Sequence, residues 1–377
     1  MKILITGAEG FIGQNLTARL QAYSCREADQ MGIELYRCGR NTSVQTLERW
    51  CSDCDFVFHL AGVNRPEREE AFWEGNRDFT VQLMHALEKA GNTSPVLMSS
   101  SVQASRETPY GLSKRAGEAA VRAHASRMQS KALIYRLPSV FGKWCRPNYN
   151  SVVATFCHQI ARGKPIRIDN AETELHLAFI DDVVQEFLNA LNGRECIDAD
   201  GNGVITETYS IRLGALAEML AGFRDSRITL RLPKMDDPFE RKLYSTFLSY
   251  LPERDFQYPL VMHADARGSF TEALRTSGAG QISVNVSKPG VVKGNHYHNV
   301  KVEKFLVVAG GGVIRLRRVG TSEVYAYPVS AERLEIVDIP AGYTHSLENT
   351  GASDMVTVMW CSECFDPAHP DTYFEEV

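Results

Sequence analysis

The chain has 377 residues, 44% of them hydrophobic and 23% charged, and a formal net charge of −5. That length calls for two domains rather than one core, and the mild acidity excludes a nucleic-acid or anionic-membrane partner, which would want a basic face. No window approaches the roughly 18 apolar residues of a membrane span, and an odd count of nine cysteines fits reduced thiols in a cytoplasmic protein.

The opening MKILITGAEG reads as a buried strand rather than a signal peptide, because its apolar run is short and ends in glycine turns. Gly7, Gly10 and Gly13 follow it, and Ile12, Leu16 and Leu20 then mark one buried face of a helix. Strand, glycine turn and helix together set a pyrophosphate against a helix N-terminus. The expected contacts are Gly7, Gly10, Phe11, Ile12 and Gly13. A second strand near 33–36 runs into Tyr36-Arg37-Cys38-Gly39-Arg40 with no carboxylate to grip a ribose 2′-hydroxyl. Arg37 and Arg40 favour a 2′-phosphate, hence NADPH as the cofactor. A third strand at 55–62 is nearly continuous in apolar residues, as a parallel strand covered on both faces should be. Its end, with Leu60 and Ala61, belongs beside the cofactor.

After a helix at 76–90, the stretch PVLMSSSVQASRETPYGLSKRAGE forms a strand, a serine run and a helix from Pro109. Tyr110 and Lys114 sit four apart and share a face of that helix. An ammonium there would lower the tyrosine pKa and suit it to exchanging a proton with a carbonyl or alcohol. Ser101, at the strand end, could bond the same oxygen. Strands alternating with helices through 132–142 complete a doubly wound parallel α/β sheet of Rossmann type.

Composition changes at about 246–262, read as a linker that parts a domain at 1–245 from one at 263–377. Short strands with glycine turns then recur at 281–287, 305–309, 313–317, 322–327, 334–339 and 356–360, the pattern of an all-β barrel or jelly roll. His296 and His298 are two apart and project to one side of a strand. Glu303 opens the next strand, and His345 follows Pro340-Ala-Gly342. Three imidazoles and a carboxylate make a site for Zn²⁺ or another divalent first-row metal.

TGAEGFIG, HLAG, Asn76, the SSS run, Tyr110-x-x-x-Lys114, RLPSVFG and AFIDDVV, in this order over about 1–245, resemble the extended short-chain dehydrogenase/reductase (SDR) family. The resemblance implies a catalytic Ser101, Tyr110 and Lys114 with Asn76 in support. It also implies a nucleotide-sugar lobe, for which Arg146, Asn148, Arg167 and His176 are the candidate contacts. Only eight residues separate Ser101 from Tyr110, fewer than in many members. The two histidine motifs resemble the cupin family, with Leu334 standing where that family often has a turn glycine.

The pairing, together with GVNRPER and KGNHYHNVKVEKFLVV, is similar over the whole chain to the CapF-type bifunctional enzymes of capsule or O-antigen synthesis. That resemblance implies a homodimer acting on a UDP-linked amino sugar. The cupin would epimerise C3 of a UDP-2-acetamido-2,6-dideoxy-4-hexulose, and the SDR domain would reduce its C4 ketone with NADPH to UDP-N-acetyl-6-deoxy-L-talosamine. The metal could be catalytic or structural. Lys301 is the favoured epimerase base, with Tyr343, His263 and Glu348 as the other candidates. The alternative is a plain keto-sugar reductase whose cupin only dimerises it.

Overall fold

The structure, a computed structural model, describes residues 1–26, 32–276, 278 and 280–377. It divides into two compact units, Met1–Leu220 with Lys242–Leu251 and Ala221–Arg241 with Pro252–Val377. Among the described residues no helix is long and apolar enough to cross a membrane.

In the first unit, β1 (Lys2–Thr6), β2 (Glu34–Cys38), β3 (Phe56–His59), β4 (Val96–Ser101) and β5 (Ala132–Leu137) form one sheet in the order β2-β1-β3-β4-β5. Every pairing in it is parallel. Alternate strand residues feed two separate cores, which explains the unbroken apolar runs. Ile3, Ile5, Phe56, Phe58 and Leu97 pack on one side of the sheet. There they meet α1 (Phe11–Arg26) through Leu16 and Leu20, and α7 (Ile180–Leu191) through Val183 and Phe187. Leu4, Val57, Val96 and Met98 pack on the other side. That core takes in α2 (Val44–Cys51), α4 (Phe79–Lys89) and α5 (Pro109–Met128) through Leu47, Leu83 and Val121.

The sequence places a helix from Asn76. The chain instead runs from α3 (Glu70–Trp73) through a π-helical turn, Glu74–Asp78, before α4 begins. Single π turns of this kind are frequent at functional sites. The rest of this unit comprises α6 (Val152–Ile160) and the sheet β6 (Ser139–Phe141), β7 (Glu174–Phe179) and β8 (Tyr209–Arg212). Helix α8 (Leu213–Thr229) follows, then α9 (Pro238–Leu248), which buries Leu243 and Phe247.

The second unit is built on two antiparallel sheets, the all-β half that the spacing of short strands predicts. One sheet has the order β16-β13-β18-β11-β10-β9 and the other β15-β14-β17-β12-β19. Their strands are β9 (Met262–Asp265), β10 (Gly268–Thr276), β11 (Gly280–Ser287), β12 (Val292–Tyr297), β13 (Glu303–Ala309), β14 (Gly311–Arg318), β15 (Val324–Ser330), β16 (Ile336–Ile339), β17 (Tyr343–Asn349), β18 (Met355–Cys361) and β19 (Tyr373–Phe374). Phe305, Val307, Ile314, Leu316, Leu347 and Met355 form the centre of its apolar core.

Candidate active site and metal centre

The glycine turn is tight for steric reasons. Gly7 has φ +68°, and a Cβ there would stand 2.7 Å from the Ala61 nitrogen; one on Gly13 would stand 2.2 Å from the Gly7 carbonyl oxygen. The Gly7 N–H donates to the Cys38 carbonyl at 3.0 Å, drawing the ends of β1 and β2 together. Gln14 makes the first-turn bond of α1 to Gly10 at 2.8 Å. By position, the N–H groups of Phe11, Ile12 and Gly13 lack intrahelical acceptors, as an anion site requires.

Arg37 and Arg40 are exposed. Arg37 lines a recess against α1 with Gln14, Thr17 and Trp144. A carboxylate does lie at the end of β2, and it comes from the glycine turn: a Cβ on Gly39 would meet the Glu9 carboxyl oxygen at 3.0 Å. No pattern along β2 could have revealed it.

Ser101 closes β4, and its hydroxyl accepts from the Gln103 N–H at 3.2 Å. Thr108 caps α5 by accepting from Gly111 N at 3.1 Å, with Pro109 in the first turn. This cap sets Tyr110 close enough to Ser101 for the serine hydroxyl to act on its phenol. Burial pushes the Tyr110 phenol up, and the Ser101 hydroxyl draws it back. The sequence gives the tuning role to Lys114. In the structure, however, the Lys114 ammonium donates to the Ser99 carbonyl at 2.8 Å, and burial lowers it to about 8 against the opposing pull of Glu118. Glu118 itself is buried, accepting from Ser100 Oγ at 2.5 Å and from Arg136 Nη2 at 2.6 Å.

Asn76 lies buried in the π turn. Its Oδ1 accepts from Val63 N at 2.8 Å, while Nδ2 donates to Val63 O and to Ser113 Oγ, both at 3.0 Å. The amide therefore clamps the loop that follows β3. Its backbone carbonyl ends a buried chain that sequence reasoning missed. Thr80 Oγ1 donates to Asn76 O at 2.8 Å, so it accepts from His59 Nε2 at 2.8 Å. His59 Nδ1 is then left to accept from Thr6 Oγ1 at 2.7 Å. Burial, with Lys114 adding to it, lowers His59 to about 3, so the ring is neutral and this tautomer is the one that satisfies both threonines.

The four proposed sugar-nucleotide contacts are all exposed. Arg146 stacks over Tyr149 with its guanidinium 5.4 Å from the ring centre, and Tyr149 lies close enough to act on Tyr110. Asn148, on the same loop at φ 55°, accepts from Gln159 at 3.1 Å. Arg167 is paired with Asp169 at 2.7 Å, and His176 Nδ1 is 2.8 Å from Ser210 Oγ. Arg146 is thus the one tied to the Tyr110 surroundings.

In the second unit one donor atom each from His296, His298, Glu303 and His345 lies within 4.8 Å of the other three. A register shift between Gly294 and His296, with Asn295 at φ 56°, sets the first imidazole into the group. Glu303 Oε2 stands 3.4 Å from His298 Nε2 and 3.3 Å from His345 Nε2. Even so, His298 Nε2 and Glu303 Oε2 are buried without a satisfied hydrogen bond. Orphaned donors converging on one point suit a divalent cation. Burial works against the Glu303 charge, but His298 and His345 outweigh it and hold this carboxyl well below the usual carboxylate range. Burial and the adjacent imidazoles push His296 down to about 4. His298 Nδ1 donates to the Asp371 carbonyl at 2.5 Å, which leaves its Nε2 for a metal.

The sheet face that carries Glu303 is unusually polar. Across β13, β18 and β11 the register sets Glu303 opposite Cys361 and Cys361 opposite Gln281, with Asn285 opposite Thr357. Gln281, Ser283, Asn285 and Ser287 are all buried, while Ile282, Val284 and Val286 on the other face of β11 are half-buried. Lys293 Nζ donates to Asn285 Oδ1 at 2.8 Å. The signal in QISVNVS was a strict alternation, which a hydrophobic-inside rule assigns to the wrong faces.

Lys301 is buried, and its ammonium donates to the Pro370 carbonyl at 3.0 Å. Glu348 is paired with Arg315 at 2.5 Å, and His263 is exposed on β9. Tyr343 is two residues from His345 on β17 and so shares its face.

A model of the NAD dependent epimerase/dehydratase family matches residues 3–201, and one of the polysaccharide biosynthesis C-terminal domain matches 263–373. A Pseudomonas aeruginosa protein named UDP-2-acetamido-2,6-beta-L-arabino-hexul-4-ose reductase is 44% identical over 99% of this chain and 98% of its own length. The crystal structure of the capsular polysaccharide assembling protein CapF from Staphylococcus aureus aligns over 100% of both chains, with 47% identity and a TM-score of 0.93. RMD from Pseudomonas aeruginosa, complexed with NADPH, shares the fold of the first unit at a TM-score of 0.51 and 18% identity, over 66% of this chain and 99% of its own. With the glycine turn, the Ser101–Tyr110–Lys114 group and the family match all falling in one parallel-sheet unit, the chain belongs to the NAD dependent epimerase/dehydratase family and, like CapF, carries a polysaccharide-biosynthesis domain after it.

Proposed function

We propose that the chain converts a UDP-2-acetamido-2,6-dideoxy-4-hexulose in two steps, with residues 1–245 acting as the reductase and residues 263–377 as a C3 epimerase. The observation that carries the reduction is that Ser101 lies close enough to act on the Tyr110 phenol, with Lys114 buried on the same helix, in a chain 44% identical to a named hexul-4-ose reductase. NADPH, when bound against the glycine turn, supplies the hydride for C4. Ser101 orients the ketone oxygen and Tyr110 gives it a proton, while Lys114 offers its ammonium to the ribose and the phenol. The product is then UDP-N-acetyl-6-deoxy-L-talosamine.

The epimerisation, which precedes the reduction because it needs the C4 ketone, rests on the four convergent donors and the buried polar row next to them. A proton beside a ketone is acidic enough for a side-chain base, provided the charge that grows on the oxygen is accommodated. A Zn²⁺ or similar ion held by His296, His298, Glu303 and His345 would supply that as a Lewis acid. Gln281, Ser283 and Asn285 offer hydroxyls and amides suited to a sugar. Tyr343, on the His345 face, is better placed for proton transfer than Lys301, whose ammonium is engaged with Pro370.

Incubating the keto-sugar in D₂O and following C3 by NMR, with and without NADPH, tests both steps. Deuterium enters C3 without NADPH, and NADPH then gives a C3-inverted alcohol. Tyr110→Phe loses the reduction and keeps the exchange, whereas Tyr343→Phe loses the exchange. If C3 keeps its proton while NADPH is consumed, the second unit is not an epimerase and the chain is a plain keto-sugar reductase.

A further inference from the structure

We propose that the segment 370–377 is a strap that preorganises the metal centre, with Asp371 as its positioning residue. The inference rests on the metal reading of the four donors above. It is carried by bonds that reach each imidazole ligand or the residue next to it.

Asp371 works through both of its ends. Its backbone carbonyl accepts from His298 Nδ1 at 2.5 Å. Its carboxylate accepts three backbone N–H groups, those of Asn299, Val300 and Lys301, each at 3.0 Å. Burial opposes that charge, but the N–H groups outweigh it and hold the carboxyl at about 2. These bonds fix the turn between His298 and Glu303. Next to it, Pro370 O accepts from buried Lys301. A non-glycine residue at φ 38°, as Asp371 is, persists only where its surroundings over-determine it, and here four hydrogen bonds do so.

The rest of the strap secures the other two imidazoles. Strand β19 pairs with β12, Phe374 opposite His296 and Tyr373 opposite Tyr297, and the rings of Tyr297 and Tyr373 stack at 5.3 Å. Thr344, adjacent to His345, donates to the Glu375 carbonyl at 2.5 Å. Arg317 holds the Glu375 carboxylate at 2.7 Å. The His298 Nδ1 bond is an outer partner of the kind that fixes an imidazole's tautomer and ring orientation, the other two imidazoles being held through their backbone or neighbour, and losing such a partner typically costs 10–100-fold in metal affinity.

The test uses the full chain freed of metal, with Zn²⁺ titrated against a chromophoric chelator and Co²⁺ absorption read in the visible. Asp371→Ala should weaken Zn²⁺ about 10–100-fold and change the Co²⁺ bands, because the three N–H bonds that hold the Asp371 carbonyl against His298 Nδ1 are lost and His298 no longer presents Nε2 in one orientation. Asp371→Asn keeps one accepting oxygen and should fall between the two. Thr344→Val, which loosens the strap at His345, asks the same question should Asp371→Ala fail to fold. Zn²⁺ binding within about twofold of the parent, with unchanged Co²⁺ bands, would overturn the strap while leaving the metal reading intact. A parent chain that takes up no stoichiometric Zn²⁺ would overturn both.

Discussion

Replacing Asn76 by alanine removes three hydrogen bonds at once, two to the Val63 backbone and one to Ser113. A buried hydrogen bond contributes about 1 kcal/mol net, and an orphaned partner costs more. Val63 is only half-buried, so water can reach its backbone and the cost stays near the lower figure, about 3 kcal/mol in all. For a domain of this size that corresponds to a fall in Tm of about 6–12 °C. The loop it clamps follows β3, and Gly62 in it lies against both Asn76 Oδ1 and Lys114 Nζ. Asn76→Ala should therefore also lower kcat/KM for NADPH by about tenfold, or about 1.4 kcal/mol of transition-state binding. Thermal unfolding by circular dichroism and NADPH oxidation at 340 nm read the two effects separately. Unfolding within about 2 °C of the parent together with unchanged kcat/KM would refute the clamp.

Two further predictions concern charge. Glu9→Gln removes a carboxylate from beside Gly39, where a 2′-phosphate would approach; an exposed repulsion of about 1 kcal/mol should turn into an NADPH-over-NADH preference about fivefold higher, and an unchanged ratio of the two kcat/KM values would count against Glu9 facing the cofactor. His59 is neutral when folded, about 3 against 6.5 unfolded, so unfolding takes up a proton between those values and stability falls as pH drops from about 6.5 towards 3. Urea midpoints measured over that range should lose this slope in His59→Gln, and retention of the full slope would assign it elsewhere.

Much of the site was legible because its chemistry is local. Tyr110 and Lys114 share a helix face by spacing alone, and HxH fixes a strand side. Glu303 falls at a strand start because a turn must precede it. What escaped the sequence depends on contacts far apart along the chain. Glu9 reaches Gly39 only because the β1 and β2 ends meet at Gly7. The buried Lys114 ammonium donates to the Ser99 carbonyl as well, and a spacing rule carries no burial. Asp371 lies about seventy residues from the turn it caps. The fold class survived these omissions because two-sided apolar strands and short alternating strands each allow few architectures.

The polar row on β11 has a consequence for how the second unit responds to temperature. Gln281, Ser283, Asn285 and Ser287 occupy positions where a sandwich would ordinarily bury valine or leucine. Unfolding apolar surface raises the heat capacity of the chain and unfolding polar surface lowers it. A barrel lined in this way has a smaller heat-capacity increment than its size alone would give, and so a flatter stability curve. The stability of this unit should therefore vary less between a cool and a warm solution than that of a hydrocarbon-lined unit of the same size.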